Sequence, residues 1–85
     1  NYVISKNKID LAPNTNVDDI LVQMAKKYAA NEVDTTDGVK IYIEKEWVHL
    51  RKSNTEPIIR IYAESASEEK ATSLALRIIE EIKAF

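Results

Sequence analysis

The residues best equipped for chemistry are gathered in one stretch, Arg51-Lys52-Ser53-Asn54-Thr55-Glu56-Pro57. Arg51 offers a planar fork of N–H donors, Lys52 an ammonium, Ser53 and Thr55 hydroxyls, and Asn54 an amide. Asn54 also tolerates the left-handed conformation, so successive backbone N–H groups there can turn to one side as an anion nest. Pro57 stiffens the exit and restricts Glu56 to extended backbone. A guanidinium fork, two hydroxyls and backbone amides together suit a tetrahedral oxyanion, phosphate above all. On composition alone, a polar turn with an incidental arginine is the commoner case.

The flanking runs must position this stretch. Residues 47–51 alternate, with Val48 and Leu50 opposite Trp47, His49 and Arg51. Residues 58–64 alternate as well, placing Arg60 with Ile58, Tyr62 and Glu64 on the more polar face. Read by itself, Arg60 is a partner for a cross-strand ion pair with Glu64 or Glu44. His49 shares the face of Arg51 and reads as a half-exposed structural histidine rather than an anion contact. Lys45-Glu46 is the turn before this strand. Val39, Ile41 and Ile43 alternate with Lys40, Tyr42 and Glu44 as the strand that precedes it.

Two helices frame these strands. Asn16 is an N-cap, Asp18 and Asp19 suit the positive helix end, and Val17, Ile20, Leu21, Met24, Ala25 and Tyr28 fall on one face. Ser65 or Ser67 caps the second helix. Its stripe is Ala71, Leu74, Ala75, Ile78, Ile79 and Ile82. Glu80 and Glu81 point apart and are no catalytic pair. Tyr2 to Leu11 reads as a first strand, with a bulge or turn at residues 5–8. Residues 31–38 read as a connection ending in an Asp37-Gly38 turn, and they lack the ligand spacing of a calcium loop. The expected fold is α+β: a four-stranded, mostly antiparallel sheet with two helices on one face, in the order β-α-β-β-β-α.

Composition narrows the function classes. The chain has 85 residues, 45% of them hydrophobic, which is one domain with one two-layer core. The net charge of −2, with both signs interspersed, argues against a nucleic-acid partner. Without cysteine there is no disulfide, thiol nucleophile or thiolate metal site, and one histidine is too few for a histidine metal centre. No apolar run approaches the roughly 20 residues of a membrane span, and cytoplasm is the default. The chain opens within a strand and its single methionine is Met24, so it reads as a piece of a longer protein.

Arg-x-Ser-Asn-Thr-Glu-Pro at 51–57, followed by a strand with an arginine and ending near Tyr62-x-Glu64, resembles the phosphate-binding loop of the α-D-phosphohexomutases. These are the phosphoglucomutase, phosphomannomutase and phosphoglucosamine mutase enzymes, which carry the loop in their fourth, C-terminal domain. Asp37-Gly38-Val39-Lys40-Ile41 and Ser67-Glu68-Glu69 fit that domain too. The resemblance implies that residues 1–85 form the C-terminal substrate-phosphate-binding domain of a larger enzyme. Arg51, Ser53, Asn54, Thr55 and Arg60 would hold the phosphate, and Glu56 would orient the loop. Lys52 departs from the proline or alanine often found there. The resemblance places no catalytic residue and no cofactor in this domain. The Mg²⁺ and phosphoserine of the parent would lie in other domains. The implied partners are a hexose phosphate and those other domains, with no nucleic acid and no membrane. Asn54 leans toward glucose and mannose phosphates over glucosamine phosphate. A stand-alone regulatory module for an uncharged or amino-acid ligand, an RNA-binding fold using Tyr42, Trp47 and Tyr62, and a plain packing domain are the alternatives.

Overall fold

The computed structural model describes residues 2–53 and 56–85. Strand β1 (Val3–Asp10) leads to helix α1 (Val17–Lys27), then to β2 (Glu32–Asp34), β3 (Val39–Ile43), β4 (Glu46–Lys52), β5 (Ile58–Ser65) and helix α2 (Glu68–Lys83). The strands form one sheet in the order β1-β5-β4-β3-β2, and every neighbouring pair is antiparallel.

The expected four-stranded sheet is therefore corrected to five strands, and the order to β-α-β-β-β-β-α. The additional strand is β2, which lies in the expected connection at 31–38. It has only three residues and a single apolar side chain, Val33, opposite Ile41. Such a segment is too short to show a period of two, and its pairing with β3 makes it a strand.

Two local expectations also change. β1 carries no bulge or turn, since its register with β5 runs unbroken from Val3↔Ser65 to Asp10↔Ile58. The polar residues at 5–8 are accommodated by alternation: Asn7 donates to Ser5 Oγ at 2.8 Å on one face, while Lys6 and Lys8 are exposed on the other. The β3–β4 turn is Glu44-Lys45 rather than Lys45-Glu46, because Ile43 pairs with Glu46. Glu44 takes the left-handed φ of 56° that this two-residue link demands.

Alternation sends Val39, Ile41, Val48, Leu50, Ile59, Ile61 and Ala63 to one face, where all are buried. Both helices lie on that face, as the expected fold has it. α1 packs on β3 and β4, and α2 on β1 and β5. Leu21 and Met24 come from α1, and Ala71, Leu74, Ala75, Ile78 and Ile82 from α2. Each large side chain buried in this way contributes about 1.5–3 kcal/mol. The helix starts are fixed by side chains: Asn16 accepts from Asp19 N at 3.0 Å, and Ser67 from Lys70 N at 3.2 Å. Ser65 is buried and donates instead to the Glu46 carboxylate.

The helices are tied together by Tyr28, whose hydroxyl donates to Glu81 at 2.5 Å and accepts from Arg77 at 3.2 Å. Burial, reinforced by the Glu81 carboxylate, raises the Tyr28 pKa. The other face of the sheet carries neither helix. It presents Lys6, Lys8, Arg60, Tyr62, Glu64, Trp47, His49, Arg51, Lys40 and Tyr42.

Candidate functional site

The β4–β5 hairpin sets the site. Its register runs through Arg51↔Arg60 to Lys52↔Ile59, and Ser53 N donates to Ile58 O at 3.0 Å. Ile58 N donates to Glu56 O at 2.8 Å, a tight turn centred on Pro57, whose ring supplies the φ such a turn needs. Leu11 N donates to Pro57 O at 2.8 Å, so the chain leaving β1 anchors the loop's exit. The mouth of the loop is thus held by backbone on both sides.

Two arginines are register partners at that mouth. Arg51 and Arg60 are directly opposite each other on the open face, where like charges repel. The ion pair expected of Arg60 does not form: among the described residues it has no acidic partner. Glu64 is engaged elsewhere, accepting from Trp47 Nε1 at 2.6 Å. Arg51 meets Asp37 at 3.3 Å, but the two side chains are 50% and 70% exposed. A pair so wet is worth less than about 1 kcal/mol and leaves the fork able to exchange partners.

Asp37 stands there because Gly38 allows it. Gly38 has φ 70°, and a Cβ on it would lie 2.2 Å from Leu50 O. Only glycine lets the turn before β3 rest on the β4 backbone this closely. His49 Nε2 lies 2.6 Å from Asp37 O. A carbonyl can only accept, so Nε2 carries the hydrogen, and His49 braces the turn, the structural role expected of it. Asp34 accepts from Thr36 N at 2.9 Å, and that backbone hydrogen bond holds its carboxyl below the usual range. The sequence marks Asp37-Gly38 only as a turn. Its contact with Leu50 and Arg51 spans more than ten residues and has no local signal.

Lys52 projects to the helix side, where Nζ pairs with Asp18 at 2.7 Å at the start of α1. Of the expected phosphate ligands, the structure therefore brings together Arg51, Ser53 and Arg60. Asn54 and Thr55 lie outside the described residues. Among the described residues, no cluster of three metal-ligating side chains occurs.

The phosphoglucomutase/phosphomannomutase C-terminal domain matches residues 10–81. The chain belongs to that family. It is 43% identical over 75 residues to the phosphoglucosamine/phosphogalactosamine mutase of Sulfurisphaera tokodaii, a match covering 86% of this chain and 16% of that protein. It is 51% identical over 53 residues to the phosphoglucomutase/phosphomannomutase of Thermococcus kodakarensis, covering 59% and 12%. A probable phosphoglucosamine mutase of Methanopyrus kandleri is 44% identical over 54 residues, covering 64% and 12%. The chain thus spans less than a fifth of these curated relatives. Among the described residues of this phosphoglucomutase/phosphomannomutase domain, no helix is long and apolar enough to cross a membrane.

Proposed function

We propose that this domain grips the non-reacting phosphate of a hexose or hexosamine phosphate while other domains of a cytoplasmic parent enzyme move a phosphoryl group within the sugar. The observation that carries this reading is that Arg51 and Arg60 are register partners at the mouth of the loop, Arg60 with no acidic partner among the described residues and Arg51 held only by the exposed Asp37. A dianion there relieves their repulsion and gains charge-assisted hydrogen bonds. Ser53, Asn54 and Thr55 supply the remaining donors, and Glu56 and Pro57 fix the loop's exit.

The domain's contribution is positioning. Holding the remote end of a substrate lowers the barrier only if that grip helps align the reacting end. The phosphoserine and Mg²⁺ belong to the parent's other domains, and the parent is a phosphohexomutase. Several charge-assisted contacts, less the cost of ordering the loop, leave the isolated domain near millimolar affinity for phosphate, about −4 kcal/mol.

The test is a titration of inorganic phosphate followed by backbone amide shifts. Saturable shifts are expected at Ser53, Glu56 and Ile58. Arg51→Ala removes contacts worth about 1.5–3 kcal/mol, so affinity falls roughly tenfold to a hundredfold. Its stability changes by less than about 1 kcal/mol, because the Asp37 pair is exposed. A folded Arg51→Ala chain that binds phosphate as the parent does would refute the clamp.

A further inference from the structure

The cation pair at the loop is part of a longer row. Across the open face the register places Lys8 beside Arg60 and Arg60 beside Arg51. One pleat away, Lys6 stands beside Tyr62. Lys6, Asn7, Lys8, Arg60 and Tyr62 line a shallow depression that adjoins the loop through Arg60. Neighbouring strands lie about 4.8 Å apart, so the Lys8–Arg60–Arg51 row spans roughly 10 Å of backbone.

The acids of this face do not neutralise the depression. Glu64 accepts from Trp47, Asp34 from Thr36, and Asp37 faces Arg51. Lys40 is likewise engaged, lying 4.4 Å from the Trp47 ring and 5.2 Å from that of Tyr42. Asp10 lies two residues beyond Lys8 and forms no ion pair with it. Among the described residues, Lys6, Lys8 and Arg60 have no carboxylate partner. β1 is an edge strand, and exposed lysines on an edge also deter association with other strands. That role asks nothing of Arg60, which sits on the neighbouring interior strand with the same charge.

We propose that Lys6, Lys8 and Arg60 form a second anion subsite contiguous with the loop, so that the domain accepts two linked phosphoryl groups of the diphosphate class. The proposal rests on the phosphate clamp described above. Arg60 is shared by both subsites: one phosphoryl group sits at the loop with Arg51, and the second lies over Lys8 and Lys6. Tyr62 offers a neutral hydrogen bond at its rim.

The test compares inorganic phosphate with pyrophosphate, titrated into the 85-residue chain at matched ionic strength near about 0.15 M, where diffuse attraction is screened. Pyrophosphate is expected to bind about tenfold more tightly than phosphate, with added amide shifts at Lys6 to Lys8. In the double variant Lys6→Gln/Lys8→Gln, phosphate affinity stays within about twofold of the parent while the pyrophosphate advantage disappears. A double variant that keeps the pyrophosphate advantage overturns the proposal. So does one that alters only self-association, which would leave the lysines as edge protection. Failure of the clamp itself shows differently, as absence of phosphate shifts at Ser53 and Glu56.

Discussion

Replacing Gly38 by alanine tests how the fold builds the site. The residue has φ 70°, a region that costs a side-chain-bearing residue about 1–2 kcal/mol. The added Cβ also lies 2.2 Å from Leu50 O, so the turn must retreat by about 1 Å to reach ordinary contact. Val39 pairs with Leu50 at this end of the β3–β4 ladder. Retreat there weakens a ladder hydrogen bond worth about 0.5–1.5 kcal/mol. Together these make about 1.5–3.5 kcal/mol. For a domain of this size, each kcal/mol moves the midpoint by roughly 4–8 °C, so Tm should fall by about 6–28 °C in a circular-dichroism melt. Phosphate binding, measured where the variant is still folded, should hold or tighten, because the displaced Asp37 no longer competes for Arg51. A melt within about 2 °C of the parent would mean that the turn relaxes freely and that Gly38 does not set Asp37's place.

Glu44 offers the opposite experiment. It sits at φ 56° in a two-residue turn, so Glu44→Gly should stabilise the domain by up to about 1 kcal/mol in urea denaturation, and an unchanged or lower midpoint would contradict the strain. Tyr28 sets an alkaline limit. Its native pKa lies above the usual 10.0, so the folded chain keeps a proton that the unfolded chain releases. Its contribution is whole below pH 10 and is lost as pH rises through the native value. An ultraviolet absorbance titration should show one of the four tyrosines ionising late, and Tyr28→Phe should abolish that late step and flatten the alkaline stability limb.

What could be read in the sequence follows the length and strength of each period. The faces of both helices and the alternation of β3, β4 and β5 are written in long apolar patterns, and the caps at Asn16 and Ser67 in single side chains. β2 was hidden because three residues cannot show a period, and its identity as a strand comes from β3. The two-residue turn was displaced by one position because Glu46 is needed in the ladder, where its carboxylate meets buried Ser65. Of the proposed site, Arg51 and Ser53 are read from the loop's chemistry and Arg60 from the resemblance. Asp37 is not, because its place depends on a contact between Gly38 and Leu50 that no local pattern encodes.

Charge shows most sharply what a one-dimensional reading loses. Signs that alternate along the chain do not alternate in space. A period of two sends Lys6, Lys8, Arg60, Arg51 and Lys40 to the same side of the sheet, while Asp18, Asp19, Glu68, Glu69 and Glu80 ride on the helices across from it. A net charge of −2 therefore coexists with a row of cations on the uncovered face. Directly opposed like charges cost each cross-strand pair a few tenths of a kcal/mol or more, and one acid at Lys8 or Arg60 would remove the penalty. Stability alone gives no reason for the row. The anion subsites proposed above would give one, since a bound polyanion turns each repulsion into an attraction and the row draws it from solution toward the loop.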